Sequence, residues 1–339
     1  MKEKEVITEV MTMDRRRFLK NTAIGLAFLP TLGFGPINAA EKKNKKMTKI
    51  ALIKTTDRSE GIKEALRILE IPSVKNKQVF IKPNFNTADP TPGSTHIDTL
   101  TRLILELQNR GASNFTVGDR SGPEATKHVL EVKGIYQLAA KNNFKLINFD
   151  EMPTTDWVHF NPPGNHWERG FSLARPAVEA EYLVFTPCLK THQYGGVFTL
   201  SLKLTVGMAP RSLMNELHNS KYMRQMIAEL NQPFTPQLIV MDGIEAFVDG
   251  GPMKGTIKHA NVITAGTDRV AMDAVGLAIL KELGSNKAIM DRKIFDQEQI
   301  ARAVELGIGI SHPNQIEFVT ADKAGWEYAQ KLKSILANG

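Results

Sequence analysis

Two periods of apolar spacing take turns along the chain. Short apolar or β-branched runs fall at 49–53, 78–81, 115–117, 145–148, 182–185, 237–241, 260–265 and 315–320, and each has the length of a strand. Between them lie stretches with apolar residues at helical spacing, at 60–69, 95–110, 123–129, 134–142, 211–230, 270–283, 297–306 and 323–336. The first is typical, with Ile62, Ala65, Leu66 and Leu69 on one face and Ser59 as its expected N-cap. Strands interleaved with helices at this spacing predict an α/β fold, a mainly parallel β-sheet with helices on both faces. One domain over 49–339 accommodates the pattern. Residues 151–170 interrupt it with Pro153, Pro162, Pro163 and Gly164 set among Trp157, Phe160 and Trp167, and read as a Pro/Trp-rich insertion or lid.

The first forty residues have a different character. Asp14-Arg15-Arg16-Arg17-Phe18-Leu19-Lys20 carries the twin-arginine pattern R-R-x-F-L-K; a mildly apolar run over 22–34 and the small-residue end Asn38-Ala39-Ala40 follow. The expectation is a signal peptide over 1–40, a basic linker over 41–48, and delivery to the periplasm by the twin-arginine translocase. The apolar run is too short and too interrupted for a membrane span, so no stable membrane anchor is expected. Charge changes meaning once this segment is set aside. Of the formal +7, residues 1–40 contribute +2 and 41–46 contribute +3, which leaves +2 for the body. A nucleic-acid partner is therefore not expected. Cys188 is the sole cysteine, which excludes an internal disulfide and a cysteine-ligated iron–sulfur cluster.

Candidate chemistry concentrates in 182–210. The apolar run ends at Pro187, where the chain is expected to turn; Lys190, His192 and Gly195-Gly196 follow, and Thr199 opens a helix-like run carrying Lys203. Lys82, Asp119, Lys190, Asp242 and Asp268 each stand just past a predicted strand, and in a parallel sheet such ends meet at one rim. Lys82, Lys190 and Lys203 converging there would hold a carboxylate, phosphate or enolate, and a desolvated lysine serves as a base. Asn84 and Asp119 sit at strand exits, His96 at a helix start, and Gly251 and Gly255 in a loop suited to presenting N–H groups to an anion. These, with Lys82 and Thr199, are the expected ligand-binding residues.

His192 is the expected proton shuttle or metal ligand, and Lys190, Lys203 and Asp242 complete the expected catalytic set. Asp273 lies among apolar neighbours, and a buried carboxylate needs a partner. A metal ion is the candidate cofactor, with His192, Asp242 and Asp273 as its expected ligands. The chain has no Walker loop, no G-x-G-x-x-G after its first strand, no H-E-x-x-H and no G-x-S-x-G.

The motifs V-F-I-K-P-N ending at Asn84, S-T-H ending at His96, V-G-D ending at Asp119 and L-K-T-H ending at His192 occur in that order. T-L-S-L-K ending at Lys203, Gly207, D-G-I from Asp242, G-G-P-M-K-G ending at Gly255 and A-G-T-D-R-V-A-M-D ending at Asp273 continue it. With that order and spacing the chain resembles the family catalogued as domain of unknown function 362. The resemblance implies kinship with redox-associated proteins, some of which carry a ferredoxin-like iron–sulfur module that this sequence lacks. The family pattern has Lys-Asn where this chain has Lys203-Leu204. The lysines and histidine are also loosely similar in arrangement to lactate-racemase-type nickel-cofactor enzymes. Two functions stand as expectations: an exported, metal- or cofactor-dependent enzyme of redox or isomerisation type acting on a small anionic or hydroxylated molecule, and a non-catalytic periplasmic protein binding an anion or cofactor.

Overall fold

The central strands carry long apolar runs because both faces of the sheet are covered. The computed structural model describes residues 47–339, which fall within one compact unit, Lys45–Gly339. The expected signal peptide and most of the expected linker lie outside the described residues, and the first strand already begins at Thr48. The strands in chain order are β1 (Thr48–Lys54), β2 (Gln78–Pro83), β3 (Asn114–Asp119), β4 (Lys145–Asn148), β5 (Trp157–Phe160), β6 (Phe171–Ala174), β7 (Tyr182–Thr186), β8 (Cys188–His192), β9 (Val197–Thr199), β10 (Leu238–Gly250), β11 (Gly255–His259), β12 (Val262–Gly266) and β13 (Ile316–Thr320).

The main sheet runs β13-β1-β12-β10-β7-β2-β3-β4, and β8, β9 and β11 extend it beside β10. On β7, Leu183 and Phe185 face one helical layer while Tyr182 and Val184 face the other. Helices Arg58–Ile68 and Ile97–Asn109 cover the second face through Ile62, Leu66, Leu100 and Leu103. The long helix Arg269–Glu282 covers the first, joined by Met223–Glu229, Glu298–Glu305 and Lys323–Asn338. The expected α/β architecture, a largely parallel sheet with helices on both faces, is the observed one.

Four local departures decide where the chemistry sits. β12 runs antiparallel to both of its neighbours, β1 and β10, so its C-terminal end points to the opposite rim. Asp268 therefore leaves the expected rim and N-caps Arg269–Glu282, accepting from the Ala271 N–H at 2.9 Å. β10 does not stop at Asp242 but continues to Gly250 and turns back as β11. The chain does not leave the sheet at Pro187 either. A new strand, β8, starts at once beside the extended part of β10, so Lys190 and His192 lie on a strand and not in a loop. Finally, the helix expected over 211–230 is broken into Met214–Asn219 and Met223–Glu229 around Ser220.

Residues 151–170 contribute β5, which pairs antiparallel with β6 just beyond them. Trp167 is buried in the core, and the preceding His166 bonds through Nδ1 to the fully buried Glu229 at 2.6 Å.

Candidate functional site

The C-terminal ends of β2 and β3, the β8–β9 pair and the short helix Ser201–Leu204 line a small polar cavity. Lys82, at the exit of β2, shares a side of its strand with Phe80 and so points toward this layer. Its ammonium donates to Asp119 Oδ1 at 2.5 Å and to the Pro83 carbonyl at 2.6 Å. Asp119 also accepts from the backbone N–H groups of Phe85 and Arg120, each at 2.7 Å. Burial pushes this carboxyl up and the Lys82 ammonium down, and their mutual attraction opposes both shifts. Each member of the pair is the other's counter-charge, and the backbone holds both in place. Together they form a fixed wall rather than a reactive group.

Arg120 follows as a second buried cation, and its guanidinium donates to the carbonyls of Ala209, Ser121 and Val206 at 2.7–2.8 Å. Burial holds it down at about 10.

The other side of the cavity is different. Lys203 is buried, lines the cavity, and makes no hydrogen bond or ion pair with any described residue. Desolvation brings its ammonium down to about 7, with Lys190 and Arg120 adding repulsion. His192 stands beside it with Nδ1 buried and unpartnered. Burial first, and then the charges of Lys203 and Lys190, lower its pKa to about 2, so the ring is neutral at ordinary pH. The hydroxyl of Thr199 and the side-chain amide nitrogens of Asn84 and Asn86 are likewise buried without partners, and all three residues line the same cavity. Buried polar atoms are nearly always paired, so several orphans around one hole mark a place where something else supplies the partner. Most of these groups are donors or cations, and their complement is an oxyanion.

Gly196 makes this approach possible. A Cβ there would stand 2.8 Å from Lys203 Cε and 3.0 Å from the His192 ring.

Of the expected residues, Lys82, Asn84, Asp119, His192, Thr199 and Lys203 meet at the cavity. Six others do not. Lys190 is fully buried beneath it, donating to the carbonyls of Gly93 at 2.5 Å and Pro252 at 2.9 Å. Desolvation lowers it to about 8, but its ammonium holds two loops together and does not face the cavity. Asp242 shares a side of β10 with Val240 and Ile244 and so faces the opposite helical layer. There it accepts from Arg58 Nε at 2.7 Å and Thr99 Oγ1 at 2.9 Å.

Asp273 accepts from the Ser201 and Leu202 N–H groups at 2.7 and 3.1 Å and from the Ser201 hydroxyl. It therefore anchors the start of the helix that carries Lys203. His96 caps Ile97–Asn109 through Nδ1, accepting from the Asp98 N–H at 3.1 Å. Gly251 has a φ of +68°, and a Cβ on it would lie 2.1 Å from the Thr191 carbonyl oxygen, so glycine is needed for the loop to lie against β8. Gly255 starts β11, and its neighbour in the loop, Pro252, is the residue that reaches the cavity.

The expected metal set of His192, Asp242 and Asp273 is thus split among three separate surroundings. No group of three or more His, Cys, Asp or Glu side chains suited to a metal ion occurs among the described residues. Asn86, Arg120 and Pro252 are cavity residues that sequence reasoning passed over. Arg120 carried a usable signal, being the residue after a charged strand end, and Pro252 lay within the G-G-P-M-K-G motif; Asn86 carried none.

The comparisons with known proteins agree with the motifs. The family model described as Domain of unknown function (DUF362) matches residues 79–278. A thylakoid-associated protein of Synechocystis is 25% identical over 251 residues, covering 70% of this chain and 74% of its own. Among solved structures, the lactate racemase apoprotein of Thermoanaerobacterium thermosaccharolyticum aligns over 83% of this chain and 85% of its own, with 14% identity and a TM-score of 0.43.

Proposed function

The chain belongs to the DUF362 family, and we propose that within it this protein is an enzyme that binds a small oxyanion, such as a carboxylate or enolate, and moves a proton on it. One observation carries the reading: Lys203, a buried lysine with no counter-charge, stands beside an imidazole whose Nδ1 has no partner. A lysine meant only to attract an anion works best fully charged. One held near neutrality by desolvation is suited to give and take a proton. In this reading Asn84, Asn86 and Thr199 orient the oxyanion, and Lys203 transfers the proton. Neutral His192 accepts a hydrogen bond at Nδ1 from a protonated ligand group. Lys82, Asp119 and Arg120 keep the wall in place. Isomerisation with proton exchange fits this set better than a redox step, since the described residues provide donors and a proton carrier.

A binding protein is the second reading. It is favoured by the pairing of Asp119 with Lys82, which leaves no unpaired carboxylate among the described residues at the cavity to repel an anion.

The test is proton exchange in D2O, followed by proton NMR, with a panel of 2-hydroxy and 2-oxo carboxylates. Wild type is expected to exchange the proton next to the carboxylate of at least one member, and Lys203→Met to lose that exchange by about 10²- to 10⁴-fold. Tight binding without exchange in wild type would establish the binder instead. Undiminished exchange in Lys203→Met would remove the proton-transfer role.

We also place the working protein in the periplasm, a reading supported by R-R-x-F-L-K at Arg15 to Lys20. Replacing Arg15 and Arg16 together by lysine is expected to retain the protein in the cytoplasmic fraction, and unchanged fractionation would overturn export by this route.

A further inference from the structure

The polar cavity opens directly into a second space of different chemistry. His192, Lys203 and Arg120 line both, so the two are consecutive parts of one cleft. The outer part is the roomier of the two and is walled by Pro123, Tyr194, Val206, Met214, Pro252 and Met253. The polar side chains that belong to it alone are engaged: Arg211 pairs with Asp150 at 2.7 Å, and His218 bonds to the Met214 carbonyl at 2.7 Å. Among the described residues, the unpartnered donors that reach this space, Lys203 and Asn86, are those of the inner end.

Tyr194 is 56% exposed, and its ring meets the His192 ring edge-on, with centroids 6.0 Å apart and planes at 86°. An aromatic ring left open at the mouth of a donor-lined hole, with two thioethers beside it, is a surface for a flat apolar group.

We propose that the ligand of this cleft is an oxyanion carrying an apolar aryl body, with the head group at the inner, donor-lined end and the ring system against Tyr194, Met214 and Met253. The inference rests on the oxyanion reading given above and adds the substrate class. A simple two- or three-carbon acid fills only the inner end. Burying an aryl ring in the outer part adds about tenfold to a hundredfold in affinity over the bare head.

Calorimetric titration of the purified protein at pH 6.5, where Lys203 is charged, tests this with matched pairs. Acetate is compared with 1-naphthylacetate, and inorganic phosphate with 1-naphthyl phosphate. At least one naphthyl compound is expected to bind ten times more tightly than its parent head, and the better series identifies the head group. In Tyr194→Ala combined with Met253→Ala, the ratio of naphthyl to parent affinity is expected to fall toward one.

Equal affinities within both pairs would overturn the aryl inference while leaving the oxyanion reading in place, and so would a ratio that survives the double substitution. Naphthyl binding untouched by Lys203→Met would instead remove the oxyanion reading and leave an apolar site. Absence of binding in every arm would overturn both.

Discussion

Two buried lysines thirteen positions apart show how much a side chain's surroundings decide. Lys190 has two carbonyl acceptors and no cavity; Lys203 has a cavity and no acceptor. Lys190→Ala strands two buried carbonyls and opens a void, so a loss of about 2–4 kcal/mol in unfolding free energy is expected from urea titration. Lys203→Met should act oppositely. It replaces a desolvated cation by an apolar chain of similar length, so the urea midpoint at pH 7 is expected to rise while ligand binding is lost. The same lysine predicts how affinity varies with pH. Its free-state value of about 7 means that the charged form needed to hold an anion is depleted above neutrality. Affinity should therefore fall toward tenfold per pH unit above 7, measured by calorimetry in buffers of different ionisation enthalpy.

At the scale of elements, the site depends on a helix of four residues, Ser201–Leu204, which cannot be stable by itself. Asp273, on the long helix across the layer, holds its first turn through two backbone N–H groups and the Ser201 hydroxyl. Burial raises this carboxyl to about 7. Asp273→Asn would turn an amide N–H toward the Leu202 or Ser201 N–H, which costs about 1–3 kcal/mol and lets the helix shift. Weaker ligand binding together with a lower urea midpoint is the expected result. A lower midpoint with unchanged affinity would show that the anchor does not position Lys203. The β10–β11 turn is the other element involved. Lys190 clamps it at Pro252, and Pro252 then reaches both parts of the cleft.

Over the whole molecule, the buried lysines give stability a recognisable alkaline limb. Lys203 and Lys190 have folded-state values of about 7 and 8, below the ordinary 10.5. Between those values and 10.5 the unfolded chain binds more protons than the native one, so stability rises with pH across that window. The expected outcome is a urea midpoint that climbs from pH 7 to about pH 9.5 in wild type and climbs less in Lys203→Met. The layered architecture was legible in the sequence for a related reason. Runs such as Tyr182 to Phe185 are apolar at every position because helices cover both faces, and that pattern survives without knowledge of neighbours.

The direction of β12 and the length of β10 were not legible. Pairing partners far apart along the chain decide them, and nothing local in 237–266 records the outcome. Asp242 is the instructive residue, since the two-residue period puts it on the face opposite the cavity once the strand runs through it.

Local residue pattern by itself determined the main alternation of strands and helices, the covered sheet and the motifs of the family, because each is a property of neighbours in the chain. Only the tertiary structure decided which charged groups became paired supports and which were left facing a hole. Lys82, Lys190 and Lys203 look alike as letters, and they differ because an acceptor within 3 Å belongs to residues brought there by folding.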